Sequence, residues 1–449
     1  MSTLISSTGR KVVVGLGATG LSTARFLAAR GEEFVLVDTR ARPPALDALR
    51  AELPAAPVFT GSIPQAVLDT ARELIVSPGV AVHEPWLRGA LEAGAALRGD
   101  IDLFVSAARA PVIGITGSNA KSTVTELVGA MARRAGRRVA VGGNLGPPAL
   151  DVLDDRVELY VLELSSFQLE RAGELGLSVA GVLNLTPDHL DRHGSLERYH
   201  QAKHRIFAGA ASVVCNTDDP LTVPPQAQAR RRIGWRLREP ELDGFGLREA
   251  NGELSLARGF NALLPVSELA SSARHDLANA LAALALGTAA GLPESAMLEA
   301  LRSFTGLPHR CELVAERDGV RWIDDSKATN VGAALAAIQG LGESGRIVLI
   351  AGGRNKGADF AALRPAVAKY CAQVLLIGES AAPLREALEG AAAVRDVGEL
   401  TPAVEAAARM ARPGQIVLLS PACASFDQFA SYAARGAAFR EALRRVLAR

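Results

Sequence analysis

The stretch GITGSNAKSTV, Gly114 to Val124, sets two glycines, a lysine and several hydroxyl residues behind a short apolar run. The chemistry that this combination serves is the holding of a nucleotide phosphate. Gly114 and Gly117 let the backbone turn its amides toward oxygens, Lys121 reaches β and γ phosphates, and Ser122 offers its hydroxyl to magnesium. Thr116, Ser118, Asn119 and Thr123 complete the loop. Ala120 stands before the lysine, where phosphate loops normally have glycine. Alanine is expected there only with a negative φ, because a Cβ is penalised at positive φ.

Downstream, LELSSFQLE and LNLTPDHLDRHGS each end an apolar strand. Ligands of open α/β sheets collect at the carboxyl ends of strands, which places Glu163 and His189 beside the phosphate loop. A carboxylate and an imidazole suit a magnesium site shared with phosphate oxygens and waters. A core or helix-capping histidine is the competing reading of His189. Lysine occurs only six times, at 11, 121, 203, 327, 356 and 369, while arginine supplies the other 43 basic residues. Lysine differs in being a compact donor whose amine can lose its proton and react, so the surviving lysines are candidates for chemistry. Lys203, in LERYHQAKHRIF, sits on an amphipathic helix where arginine would serve solubility equally well. Near the amino terminus, GLGATG gives Gly15, Gly17 and Gly20 the spacing of a dinucleotide fingerprint, with Asp38 ending the next strand. Alone it points to an NAD-dependent oxidoreductase, but that reading leaves the phosphate loop without a task. A nucleotide-diphosphate substrate on the first domain and ATP on the second use both motifs.

The elements that must position these residues alternate apolar strands with helical periodicity, the pattern of α/β domains with mostly parallel sheets. At 449 residues, 49% hydrophobic and 4% aromatic, the chain is long enough for two to four domains. Net charge is +1, so there is no general field to hold nucleic acid or an anionic membrane. Four scattered cysteines, at 215, 311, 371 and 423, form neither a disulfide framework nor a zinc spacing and fit a reducing cytosol. The amino-terminal segment shows no export signal. LANALAALALGTAAGL is too short and too interrupted for a membrane span and reads as a buried helix. Three blocks are expected, at residues 1–99, 100–306 and 307–449. Hairpins are expected in GFGLREANGELSLARG, around an Asn-Gly turn, and in ELVAERDGVRWIDDS.

GLGATG, SPGV, TGSNAKST, GGNLGPPALD, LELSSFQLE, LNLTPDHLDRH, GLPHRCE, DDSKATN, GGRNKGADF and SPACASFDQF occur in the order found in the Mur ligases of peptidoglycan synthesis. Over almost the whole chain the sequence resembles that family, and within it the members that add D-glutamate to UDP-N-acetylmuramoyl-L-alanine. The resemblance implies an N-terminal Rossmann-like domain for the UDP substrate. A central P-loop ATPase-type domain with a mostly parallel sheet and a C-terminal Rossmann-like domain for the amino acid follow it. It implies that ATP phosphorylates a carboxylate and that the amine of D-glutamate displaces the phosphate. Lys121 and Ser122 would hold phosphates and one magnesium ion, and Glu163 and His189 a second. Lys203 would carry a carbamate formed with carbon dioxide, making it a metal-side anion. Asn279, Arg310 and Asp325 would attend ATP, with Asp276 standing where the family often has Asn. Ala18, Thr19, Asp38, Thr39, Arg40 and Gly79 would bind the uridine nucleotide, and Asn144, Gln168 and His189 its muramoyl and alanyl portions. Thr329, Lys356, Ser425 and Phe426 would bind D-glutamate. Lys327 would position its loop or the nucleotide. A cytoplasmic monomer that closes its domains on its ligands and excludes water completes the expectation. A folylpolyglutamate synthetase relative would share the phosphate loop but lack the N-terminal domain and SPACAS. A non-enzymatic phosphate-loop switch would leave SPACASFDQF and DDSKATN without a task.

Overall fold

The computed structural model describes residues 11–224, 231–250 and 252–448. The amino-terminal decapeptide and Asn251 of the Asn-Gly turn lie outside the described residues. The chain divides into two compact units. One comprises residues up to Leu185 together with His200–Pro265 and Ala280–Arg302; the other comprises Thr186–Tyr199, Val266–Asn279 and Ser303–Arg449.

The first unit contains two sheets. Its five-stranded sheet is parallel throughout and runs in the order third, second, first, fourth, fifth strand, the order of doubly wound sheets. Lys11–Val14 lies at its centre between Phe34–Asp38 and Glu73–Val76. These runs are continuously apolar because parallel strands are covered on both faces; Val12, Val13 and Val14 are all fully buried. Helix Ala18–Ala29 follows the glycine turn, and Gly20 is required where it meets the strand, since a Cβ there would fall 2.0 Å from the Gly15 carbonyl oxygen.

The nine-stranded sheet puts Val112–Thr116 between Leu159–Glu163 and Val179–Val182, all parallel, with Ile115 opposite Glu163 and Thr116 opposite Val182. That register delivers the phosphate loop, Glu163 and the segment after Val182 to one carboxyl edge. Helix Lys121–Arg134 leaves the loop and packs on the strands Val139–Gly143 and Leu159–Glu163. Phe245–Ala250 and Glu253–Arg258 form the expected antiparallel hairpin, with Ala250 opposite Glu253. The alanine-rich segment is helix Arg274–Ala289, in which Leu281, Leu284 and Leu286 are fully buried. No helix of the described residues is long and apolar enough to cross a membrane.

The second unit holds a six-stranded sheet, in the order Glu312–Arg317, Val320–Asp324, Ile416–Leu419, Ile347–Gly352, Cys371–Ile377, Ala393–Gly398. The first pair is the expected hairpin; Asp318 and Gly319, at φ 52° and 72°, make its turn. Every other pairing in that sheet is parallel. Alternate residues feed two cores: Leu349, Leu376 and Leu418 point to one, Val348, Ile350, Leu375 and Val417 to the other.

Candidate nucleotide and amino-acid sites

The phosphate loop takes its shape from its neighbour strand. Asn184, just past Val179–Val182, accepts from the Ser118 amide at 2.9 Å through its backbone carbonyl and from the Asn119 amide at 2.8 Å through its side chain. Its side-chain amide donates back to the Asn119 carbonyl at 3.2 Å. The loop ends at Ala120 with φ 65° and ψ −5°, the left-handed region, immediately before helix Lys121–Arg134. The expectation of a negative φ is therefore wrong. The turn into the helix demands the conformation that glycine adopts freely, and tertiary hydrogen bonds hold alanine in it at about 1–2 kcal/mol. Ala120→Gly should then raise the thermal midpoint by about one to two degrees, reflecting about 0.5–1 kcal/mol of net relief after the added flexibility of the unfolded chain. If this loop holds ATP, the KM for ATP should stay within about twofold, since backbone amides and not the side chain at 120 would meet the phosphates. A lowered midpoint in a calorimetric scan would show that the methyl group packs usefully.

Lys121 curls over this loop, its Nζ 2.9 Å from the Gly117 carbonyl oxygen and 3.0 Å from that of Ser118. Lys203 is 1% exposed and donates to the same Gly117 oxygen at 2.8 Å and to Thr116 Oγ1 at 3.3 Å. Two lysine amines thus converge on one carbonyl at the mouth of the loop. Glu163, 2% exposed, accepts from the Asn144 side-chain amide at 2.5 Å, and its backbone carbonyl accepts from the Asn144 amide at 2.8 Å. Among the described residues no three His, Cys, Asp or Glu side chains gather as a ready metal cage. A magnesium ion held through Glu163 and Ser122 would be completed by phosphate oxygens and waters, which suits the hard oxygen preference of that ion.

In the five-stranded part, Asp38 ends its strand 4% exposed. It accepts from the Leu16 amide at 2.7 Å, and from the Arg40 guanidinium at 2.6 and 2.9 Å. Burial alone would push its carboxyl up, yet Arg40 and the amides of Leu16 and Arg40 hold it below the ordinary range. Ala18 and Thr19 open the following helix. Thr39 adjoins Asp38 in sequence, and Gly79 lies in a turn closed by Val80 N to Ser77 O at 3.0 Å. Gln168 is placed as a capping residue: its Oε1 accepts from the Ser165 amide at 3.0 Å, and its Nε2 donates to Asp100 at 3.1 Å.

In the second unit, Lys356 pairs with Asp188, Nζ to Oδ1 2.9 Å, and Asn330 donates to the other oxygen at 2.9 Å. Burial pushes Asp188 up, but the charges of Lys356 and His189 and the bonds from Lys356 and Asn330 keep it below the usual carboxylate range. His189, at φ 54°, caps the short helix Leu190–His193, and its Nε2 is 3.7 Å from Asp188. The GGRNKG and SPACAS segments are tied by reciprocal backbone bonds of 2.9 Å between Arg354 and Ala424. Ser425 beside them is buried, whereas Phe426 is 67% exposed. Thr329 lies between Lys327, whose ammonium stacks 3.8 Å from the Tyr432 ring centre, and Asn330. Asp325 is buried and accepts from Ser420 Oγ at 2.7 Å and the Cys311 amide at 3.3 Å; burial, eased by these bonds and by Arg310, pushes it to about 7. The charge of Asp276 reaches Cys311, and Asn279 follows one turn later on the same helix. All four cysteines are free, and burial pushes Cys215 and Cys423 to about 11, which disqualifies both as nucleophiles.

Six described non-glycine residues have φ in the left-handed region. Five of them, Ala120, His189, His309, Cys311 and Ala422, fall in the motif segments, and the sixth, Asp318, in a hairpin turn. Stored backbone strain of this kind concentrates at ligand sites. Asn184, Asp188 and Asn330 are site residues that the sequence does not single out. Each lies at or inside a quoted motif, but their partners are distant in the chain.

Three family models match in succession: "Mur ligase MurD-like, N-terminal domain" over residues 9–99, "Mur ligase middle domain" over 115–287 and "Mur ligase, glutamate ligase domain" over 309–423. The chain is 54% identical over 441 residues to the UDP-N-acetylmuramoylalanine--D-glutamate ligase of Pseudomonas putida, covering 98% of each. It is 53% identical over 442 residues to the enzyme of the same name from Pseudomonas aeruginosa, covering 98% of this chain and 99% of that one. Among solved structures it resembles UDP-N-acetylmuramate-alanine ligase MurC from Thermotoga maritima in fold, with a TM-score of 0.59 at 19% identity, over 98% of this chain and 100% of that one. Successive matches that run from residue 9 to the SPACAS segment, together with relatives half-identical over nearly the full length, make this chain a member of the Mur ligase family.

Proposed function

We propose that the chain is an ATP-dependent ligase that joins D-glutamate to UDP-N-acetylmuramoyl-L-alanine through an acyl phosphate, in peptidoglycan precursor synthesis. The observation that carries this reading is the convergence of Lys121 and Lys203 on Gly117, on the sheet edge that also presents Glu163, in a chain 54% identical to a ligase of that name. A carboxylate is a poor electrophile. Transfer of the γ-phosphoryl group to it releases ADP and creates a good leaving group; the D-glutamate amine then forms the amide bond, loses a proton and expels phosphate.

In this reading the loop amides and Lys121 would cradle the phosphates of ATP, Ser122 would hold one magnesium ion and Glu163 with His189 a second, and such ions would supply charge stabilisation at the transferring phosphoryl group. Lys203 is read as carrying a carbamate, a reading supported by its burial and by the second amine, that of Lys121, on the same Gly117 oxygen. Asn279, Arg310 and Asp325 attend the nucleotide. The doubly wound five-stranded sheet is the Rossmann-like seat of the UDP moiety, at Ala18, Thr19, Asp38, Thr39, Arg40 and Gly79. Asn144 and Gln168 shape the muramoyl end by fixing Glu163 and the helix after it. Three functional segments, 1–99, 100–306 and 307–449, follow from that division of labour. The free cysteines agree with a reducing, cytoplasmic setting.

D-glutamate is assigned to Thr329, Lys356, Ser425 and Phe426. Lys356→Ala should raise the KM for D-glutamate about tenfold to a hundredfold, the loss expected when a charged hydrogen bond to a carboxylate is removed. The KM for ATP should change less than about threefold. A steady-state comparison in which the ATP constant rises instead moves Lys356 to the nucleotide. The reading as a whole is tested by phosphate release from ATP and magnesium with UDP-N-acetylmuramoyl-L-alanine and a panel of amino acids. Release dependent on D-glutamate is expected; release driven equally by another amino acid, or none, refutes it.

A further inference from the structure

The helix Ser166–Arg171, which follows Glu163, ends in a side chain that the proposed mechanism does not use. Arg171 is 1% exposed and among the largest fully buried side chains of the protein. It extends out of the nine-stranded part into the five-stranded one, donating to the carbonyl of Val80 at 3.0 Å and reaching that of Val76 at 3.5 Å. Those carbonyls bracket the SPGV loop, residues 77–80. The loop is in turn tied to the glycine turn: Ser77 N donates to Val14 O at 2.8 Å and Ser77 Oγ to Gly15 O at 2.8 Å.

The surroundings are built for this arginine. Gly99 has no Cβ because one would lie 2.9 Å from Arg171 Cγ. Asp102 caps both neighbours, accepting from Gly99 N and Gly173 N at 2.7 Å each. Asp100, 2% exposed, receives the Gln168 amide, and burial raises its carboxyl against the pull of Gln168 and the Arg171 charge. A long cation is thus desolvated, paired with Glu170 at 3.5 Å, balanced in part by Asp100, and set against two carbonyls of a loop. Holding the loop is a task for arginine, whose fork spans two acceptors where an ammonium is a single point.

We propose that Arg171 is a positioning residue for the nucleotide substrate, fixing the SPGV loop, and with it the glycine turn, to the helix that follows Glu163. This rests on the reading of Gly79 and the glycine turn as the UDP seat. The competing role is that of a structural counter-ion for Asp100 and Glu170.

Two variants separate these roles. Arg171→Lys keeps the charge but cannot bracket the loop. Arg171→Met combined with Asp100→Asn removes both charges together, and the carboxamide oxygen introduced by the second substitution can still accept from Gln168. In both, the KM for UDP-N-acetylmuramoyl-L-alanine should rise about tenfold, with kcat and the KM values for ATP and D-glutamate within about threefold. Circular dichroism and the thermal midpoint report folding. A rise below about threefold in either folded variant, an equal rise in all three KM values, or loss of the fold in both variants overturns the inference. A wild-type enzyme inert toward the UDP substrate removes the functional reading and this inference with it; an active wild type with unaltered variants removes this inference alone.

Discussion

Lys121→Ala is expected to abolish D-glutamate-dependent phosphate release and amide formation together, by about a thousandfold or more in kcat. Phosphoryl transfer leaves a protein little to do beyond positioning and charge stabilisation, so one cation aimed at the transferring group carries a large share of the barrier. In the proposed reading that cation is Lys121, the first residue of helix Lys121–Arg134, whose Nζ is held over the loop by the carbonyls of Gly117 and Ser118. Those two bonds pre-set the side chain across the hollow in which loop amides would meet phosphate. Alanine is a good helix former at this position and removes no core contact, so the variant should fold with an unchanged circular dichroism spectrum. Lys121→Arg should fail nearly as badly, because a planar fork cannot occupy the place of a compact ammonium folded back on its own loop. Phosphate release by the alanine variant at more than about a tenth of the wild-type rate would sink the assignment of this loop to ATP.

What the sequence discloses is governed by range. Apolar strands such as VVV and FVLVD, the alanine-rich helix and both hairpins are written in local periodicity and turn chemistry, and each is found where it is expected. The strand, turn and helix of GITGSNAKSTV are legible for the same reason. The sign of φ at Ala120 is not, because the turn is held in shape by Asn184, 65 positions beyond the Asn119 amide it accepts from, and not by Ala120 itself. The partner of Lys356 lies 168 positions away at Asp188, and no spacing rule reaches that far. Gln168 is expected to face the substrate, but its place at the third position of a helix opening with Ser165 is a capping signature, legible in SSFQ when that stretch is read for local structure. Arg171 is hidden for a different reason. In a chain where arginine is the general-purpose cation, nothing in composition distinguishes a buried one from the rest; only Gly99 and two buried aspartates around it do so.

Lys203→Ala and Lys203→Arg should both lose ligation by about a thousandfold, although one deletes the amine and the other keeps a positive charge. The prediction follows from where the amine sits. Lys203 is 1% exposed, and its Nζ shares the Gly117 oxygen with Lys121, so the two nitrogens can be no farther apart than those two bonds laid end to end. In general, removal from water and a neighbouring cation each disfavour the protonated form of a lysine. A neutral amine is the form that captures carbon dioxide: its lone pair bonds to the carbon, a proton departs, and a carbamate anion replaces a cation. Beside Glu163 and a magnesium ion on the phosphates, such an inversion would replace a cation by an oxygen donor of the kind magnesium prefers. Arginine cannot follow, since its guanidinium stays protonated. Small carboxylates such as formate or acetate should therefore restore part of the activity of the alanine variant by supplying an anion in the vacated space, and should do nothing for the arginine variant, where the space is filled by a cation. Stripping bicarbonate from the wild-type enzyme should lower activity reversibly, with the loss deepening as pH falls and the amine protonates. An unmodified mass for fully active enzyme equilibrated with bicarbonate, together with an active arginine variant, would return Lys203 to the role of an ordinary buried cation that braces the phosphate loop through Thr116 and Gly117.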